Sequence, residues 1–313
     1  MTTDAPSYAL GVAAGLFSAA TWALGSHQFA RLLHRNREVG APAANLFKNG
    51  LALIVFAVLA AALSWPLPTT SDAGWLLLSG LLGFAVGDAL YFAAFHLCGV
   101  QLAALSGNLI PPIAAVLAWQ WYGETLTPRA ILAMAVVLVG IVVVLLDSTS
   151  TQGGERPPRP KLGFLLAAAA AASQALAVTC GRRVMADAGS EFGVYMVANV
   201  ARLVGGVGGA LVIGAALQLA RPRSRAFVRL SEPWKPRLVV PFAGAALVAA
   251  VVNLPAFTFA LGSLPAGVSS VLFGTTPLWT LPIGLALGHR FGWKAWAGSA
   301  IAFGGLALLV SAG

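Results

Sequence analysis

Three ionisable residues stand inside long apolar stretches of this chain: Lys48, Asp88 and Arg202. Asp88 lies near the middle of its stretch, in Gly87-Asp88-Ala-Leu-Tyr-Phe. A carboxylate in an apolar surrounding is costly unless it is solvated, paired or protonated. Helical spacing puts Phe84, Asp88, Tyr91 and Phe95 on one stripe. That stripe suits a proton site or a site for a substrate amine, because aromatic faces tolerate a cation. The alternative is a buried Asp capped by hydroxyls that fixes helix packing. Lys48 and Arg202 could each meet an anionic group such as a substrate carboxylate. They could equally snorkel to an interface, or pair with Asp88 or Glu124.

Other polar groups in apolar helices are expected to face inward. Ser18, Thr21 and Trp22 stand in one stretch, and Ser173 and Gln174 at matching places in another. Pro111 and Pro112 in one apolar segment and Pro277 in a second remove backbone hydrogen bonds, which predicts kinks suited to gating or to packing alone. Asn108, Pro112, Ala115 and Trp119 form a stripe, as do Phe273, Pro277, Thr280 and Gly284; both are expected to face a central cavity. His27 and His96 read as interfacial or packing residues. Glu124 reads as a cap on the segment that follows or a partner for Arg129. Trp119, Trp121 and Tyr122 read as an aromatic belt at a membrane surface.

The elements that must position these groups are membrane helices. Of 313 residues 58% are hydrophobic and only 9% charged, with a mean hydropathy of +0.84. Soluble domains carry about 25% charged residues, so lipid must cover most of the outside. The formal net charge of +9 sits in loops, where Lys and Arg set topology, and no nucleic-acid, phosphate-loop or zinc signature accompanies it. Cys98 and Cys180 form neither a disulfide framework nor a metal site. Runs of about 20 apolar residues match a hydrocarbon core of about 30 Å. Ten are predicted, at 8–30, 42–63, 74–97, 100–122, 128–146, 162–185, 192–218, 238–261, 264–287 and 292–312.

The chain repeats itself. Pairing Asp88 with Asn253 sets an offset of 165 residues, which also pairs Phe92 with Phe257, Pro112 with Pro277, Gly123 with Gly288 and Gly140 with Gly305. A slightly smaller offset aligns Asn45-Leu-Phe-Lys48 with Asn199-Val-Ala-Arg202. A first unit over 1–147, a linker over 148–161 and a second unit over 162–313 follow. Five spans per unit force the second to enter from the opposite side, which predicts an all-α integral membrane protein of two inverted five-helix repeats, an architecture common in transporters. Gly11/Gly15, Gly83/Gly87, Gly205/Gly209 and Gly284/Gly288 stand at helix-packing spacing.

This layout resembles the drug/metabolite transporter superfamily, in particular its EamA-type ten-helix carriers. Gly87-Asp88-Ala-Leu-Tyr-Phe, Pro111-Pro112, Gly123-Glu124-Thr-Leu-Thr127 and Gly140 carry the resemblance, with Pro277, Gly288 and Gly305 in the second half. The second half departs from it, with His289-Arg290 where Glu124-Thr125 would recur and Asn253 for Asp88. The resemblance implies secondary transport in the cell membrane, often export, of amino acids or other small metabolites, without a cofactor or ATP hydrolysis. The substrate or coupling candidates are Trp22, Lys48, Asp88, Tyr91, Asn108, Gln174, Asn253 and Arg202, with protons as a coupling ion. Lys48 and Arg202 point to an organic-anion exchanger as the alternative. A lipid-processing enzyme needs clustered catalytic groups, and Asp88 has no second carboxylate near it in sequence; a lipid scramblase is the remaining class.

Loop charge makes a prediction about orientation. Arg31, Arg35, Arg37, Arg156, Arg159, Lys161, the cations of 221–237, Arg290 and Lys294 fall in one set of loops; Arg129, Arg182 and Arg183 fall in the other. The positive-inside rule then leaves both termini outside, whereas the family resemblance implies cytoplasmic termini. A reporter fused at Gly313 is expected to signal from outside the cytoplasm; a cytoplasm-only signal reverses the assignment.

Overall fold

The computed structural model describes residues 5–36, 38–98, 106–146, 159–186, 191–220, 230–286 and 292–310, and among them all regular structure is helical. Ten rods follow one another. They are α1 (Ala5–Arg35), α2 (Ala41–Ala62), α3 (Thr70–Gly80, continuing to Cys98), α4 (Ile110–Tyr122), α5 (Pro128–Leu145), α6 (Pro160–Met185), α7 (Phe192–Ala220), α8 (Pro236–Ala246, continuing to Ser263), α9 (Ala266–Gly274, then Thr276–Ala286) and α10 (Trp293–Val310). Seven of them (α1, α2, α3, α6, α7, α8 and α9) are long and apolar enough to cross a membrane. The sequence predicts ten crossings; among the described residues seven helices meet that length and hydropathy, while α4 holds 13 residues and α5 is apolar but shorter.

Local chemistry sets several ends. Thr127 caps α5 by accepting from the Ala130 amide at 3.1 Å, and Thr69 caps α3 through the Asp72 amide at 3.2 Å. Each ties down an amide that the helix itself leaves free. Gly123 ends α4 with φ +65°, a left-handed conformation that favours glycine. α4 begins at Ile110, so Pro111 and Pro112 stand in its first turn, where a missing N–H costs nothing; residues 106–107 just before it are helical too, so the chain breaks between two helical pieces at 108–109. In α9 the break falls at Thr275, between Gly274 and Thr276. Pro277 cannot donate to Phe273, and the Thr276 hydroxyl donates to that carbonyl instead, at 2.7 Å.

Two unpredicted features match each other. α3 widens into a π-helix over Leu81–Gly87 and α8 does so over Leu247–Val252. Asp88 and Asn253 are the residues that follow these wide turns, so the internal repeat extends to a backbone irregularity. Helix contacts repeat as well. The far half of α8 packs on α1 and the far half of α3 on α6; α3 packs on α7 and α8 on α2. α2–α7, α4–α9 and α5–α10 pair directly. Exchanging α1–α5 with α6–α10 maps this set of contacts onto itself.

Small residues permit the closest of these approaches. A Cβ on Gly80 would collide with the Arg202 carbonyl, and one on Gly205 with the Leu77 carbonyl. Gly140 and Gly305 do the same work between α5 and α10, with Ala302 and Val137 opposite them. Large apolar side chains face outward, including Val240 at 75% and Val212 at 69% exposure, as a lipid solvent allows. Gly80→Ala is expected to destabilise the protein by about 3 kcal/mol through overpacking. Gly208→Ala, with nothing within 4 Å of its added Cβ, is expected to be neutral. Thermal melting of the purified variants checks both.

Candidate functional site

The wide turn of α3 leaves carbonyls that side chains from neighbouring helices satisfy. Ser173 of α6 donates to the Leu82 carbonyl at 2.7 Å, Gln174 to that of Gly83 at 3.1 Å, and Asn45 of α2 to that of Phe84 at 3.3 Å. The two amides also hold Asp88. Oδ2 accepts from Asn45 Nδ2 at 2.7 Å and Oδ1 from Gln174 Nε2 at 3.2 Å. Both oxygens act as acceptors, which is the pattern an ionised carboxylate uses. Asn49 donates to Asn45 Oδ1 at 3.4 Å and fixes which end of that amide meets Asp88.

Lys48 does not snorkel. It is 6% exposed, and its Nζ lies 4.5 Å from the centroid of the Trp22 ring. It interacts with the Asp88 charge without a direct ion pair. Arg202 is 3% exposed; its Nε donates to Ser79 Oγ at 3.1 Å, and its guanidinium carbon lies 5.1 Å from the Phe84 ring and 5.7 Å from that of Phe257. Its Nη1 is buried and has no partner among the described residues. Phe257 stacks edge-on against Phe273 at 5.1 Å, and Phe273 lies 6.0 Å from Trp22.

These contacts close a circuit. It runs from Lys48 to Trp22, Phe273, Phe257 and Arg202, then through Phe84 and Asn45 to Asp88 and back to Lys48. Six helices contribute, three from each half: α1, α2, α3, α7, α8 and α9. The circuit holds one carboxylate and two cations, of which Lys48 shares the Asp88 field, and its walls are aromatic. Among the described residues no group of His, Cys, Asp and Glu could hold a metal ion.

Trp22, Lys48, Asp88, Gln174 and Arg202 are thus brought together. Asn253 turns toward α1 instead, donating to the Ser18 carbonyl at 2.6 Å, Ser18 Oγ at 3.0 Å and Thr21 Oγ1 at 3.3 Å. Tyr91 packs against the buried cluster of Ala94, Cys98 and Ala167. A π turn carries more residues than an α turn, so Phe84 loses its i, i+4 alignment with Asp88, whereas Tyr91 stays one α turn from Asp88. Phe95 and His96 have side chains outside the described residues. Asn108 lies in the turn before α4, with a buried Nδ2 that has no partner among the described residues. Pro112 is exposed and Ala115 packs against Gly267 of α9, so that stripe serves helix contact at least in part. Asn45, Ser79 and Phe257 are the additions that the structure makes. The repeated Asn-x-x-cation pattern was the signal for Asn45; Ser79 had none.

Glu124 has a different place from the one expected. Its Oε1 pairs with Arg182 Nε at 2.7 Å and its Oε2 accepts from the Ala266 amide at 3.0 Å. It therefore caps α9, not α5, and its partner is Arg182, not Arg129. The left-handed turn at Gly123 redirects the chain and leaves the next residue facing the second half. Arg182 also donates to the carbonyls of Leu261 and Gly262 at the α8–α9 turn.

A helical membrane protein of two like halves, with charged and aromatic groups joined across them, has the build of a membrane carrier. The sequence comparisons agree. The model of the EamA-like transporter family matches residues 8–146 and again residues 161–311. The chain belongs to the EamA-like transporter family, a family of membrane transporters and not of enzymes. A solved crystal structure of a protein shares its fold, with a TM-score of 0.65 and 17% identity over 95% of each chain. No curated protein matches the sequence.

A double-mutant cycle tests the Glu124–Arg182 link. Glu124→Gln and Arg182→Gln are each expected to cost about 1–3 kcal/mol, since each leaves a part-buried charge without its partner. The double variant is expected to cost less than the two singles together by about 1 kcal/mol or more. Additive losses in melting experiments refute a direct link.

Proposed function

We propose that this chain is a secondary active transporter of the cell membrane that moves small organic metabolites by alternating access, in the outward direction the family resemblance implies. Its halves act as two inverted five-helix repeats, and the cargo binds within the circuit of charged and aromatic groups between them. The observation that carries this reading is that circuit: buried Lys48 and Arg202 and part-buried Asp88, brought together from both halves. Ionisable groups at such depth belong to pathways for substrates and protons. The exchange symmetry of the helix contacts supports the inverted arrangement, because five crossings per unit turn the second unit over.

Asp88 is the coupling residue in this reading. The groups that face it are Lys48 and Asn45 from α2, Gln174 from α6 and Tyr91 on its own helix. Its counterpart Asn253 is polar but cannot titrate, so the halves differ in the property that coupling to protons requires. Asp88→Asn is expected to abolish transport or free it from the pH gradient. The variant does not fully spare hydrogen bonding, because both Asp88 oxygens already accept from amides. The new NH₂ meets a donor, which is expected to cost about 1–3 kcal/mol. Cargo identified by comparing metabolite pools of deletion and overexpressing cells, then assayed in proteoliposomes, provides the test. Wild-type transport with unchanged pH dependence in the Asp88→Asn protein marks Asp88 as structural.

A further inference from the structure

We infer that the circuit selects cargo by charge, and that it takes an organic anion with a flat apolar body in preference to a zwitterion or a cation. The inference rests on the circuit being the cargo site. Its basis is the balance of charge there. Asp88 is already held by two amide donors and shares the field of Lys48, so a further cation brought to it meets the opposing charge of Lys48. Arg202 has no carboxylate partner among the described residues. Its Nε is taken by Ser79, its faces are covered by Phe84 and Phe257, and Nη1 is buried with nothing to donate to. Lys48, stacked on Trp22, likewise makes no hydrogen bond with the described residues.

Two cations against one carboxylate leave one excess positive charge at a depth where water does not screen it. A carboxylate or phosphate brings that charge to neutrality and supplies acceptors for Nη1 and the ammonium. A zwitterion leaves the excess in place, and a cation doubles it. The aromatic walls between the two cations suit a planar apolar body, which a sugar or polyamine lacks.

Three probes share a phenyl ring and a short chain but differ in charge: 3-phenylpropionate, phenylalanine and phenethylamine. Binding to the purified full chain is read from the quenching of tryptophan fluorescence, with Trp22→Phe assigning the signal. Wild-type protein is expected to bind the anion about tenfold or more tighter than the zwitterion, a step worth about 1.4 kcal/mol, and to show no saturable binding of the amine. Arg202→Lys is expected to weaken the anion by less than Arg202→Gln. Equal or tighter binding of phenylalanine or phenethylamine, or no saturable binding of any probe, overturns the inference; the wild-type comparison stands even if a variant fails to fold. Counterflow in proteoliposomes separates this from the transport reading. Selective anion binding without counterflow removes transport and keeps charge selection, whereas counterflow of the zwitterion or amine alone keeps transport and removes charge selection.

Discussion

Hydrocarbon does not drive apolar helices together as water does, so this bundle depends on backbone proximity and on hydrogen bonds that lipid cannot replace. Gly80 and Gly205 bring α3 and α7 to the distance at which main-chain atoms touch, and Gly140 and Gly305 do so for α5 and α10. Polar side chains then reach carbonyls on the neighbouring helix. Ser79 donates to the Ala177 carbonyl at 2.7 Å while it accepts from Arg202, so one hydroxyl joins α3, α6 and α7. Asn199 donates to Thr258 at 3.1 Å and links α7 to α8. The charged groups could not be held at depth without this framework, because their positions are set by helices that a few methyl groups would push apart.

The halves share a plan and differ in chemistry. Both place a polar residue just after a wide turn, yet Asp88 reaches amides on α2 and α6 while Asn253 spends its one amide nitrogen on α1. Both carry a cation three residues after an asparagine, yet Lys48 lies on an indole and Arg202 between two phenyl rings. Glu124 joins the α4–α5 turn of the first half to the α8–α9 turn of the second, and the corresponding place in the second half is His289-Arg290, outside the described residues. Under the proposed alternating access, a symmetric frame with asymmetric contents lets two states of the frame present different charges to the two sides of the membrane.

Much of this was legible in the sequence. Hydropathy and offset pairing located the helices and the repeat, and the rarity of ionisable residues in apolar runs drew attention to Lys48, Asp88 and Arg202. Pro111 and Pro112 mark the break by residue type, but the type alone does not say where the helix restarts, which the structure puts at Ile110. The wide turns were hidden because a π segment leaves no mark on hydropathy, and ignoring it placed Phe84 at i, i+4 spacing from Asp88. Glu124 was assigned to the wrong helix because its cap and its ion pair are both long-range, made with Ala266 and Arg182. Sequence spacing can rank local partners such as Arg129 but cannot see partners that the fold supplies.

The charge on Arg202 has an electrical consequence. A carrier that alternates its opening changes the side on which the membrane potential falls around a buried charge, even when that charge scarcely moves. Each reorientation with Arg202 uncompensated is then a voltage-dependent step, worth up to about 2.3 kcal/mol per 100 mV if the whole field is traversed. The same step with a monoanion bound carries no net charge. In the proposed cycle an inside-negative potential then acts on the unloaded leg and not on the loaded one, and resting voltage becomes a means of setting which way the unloaded protein faces.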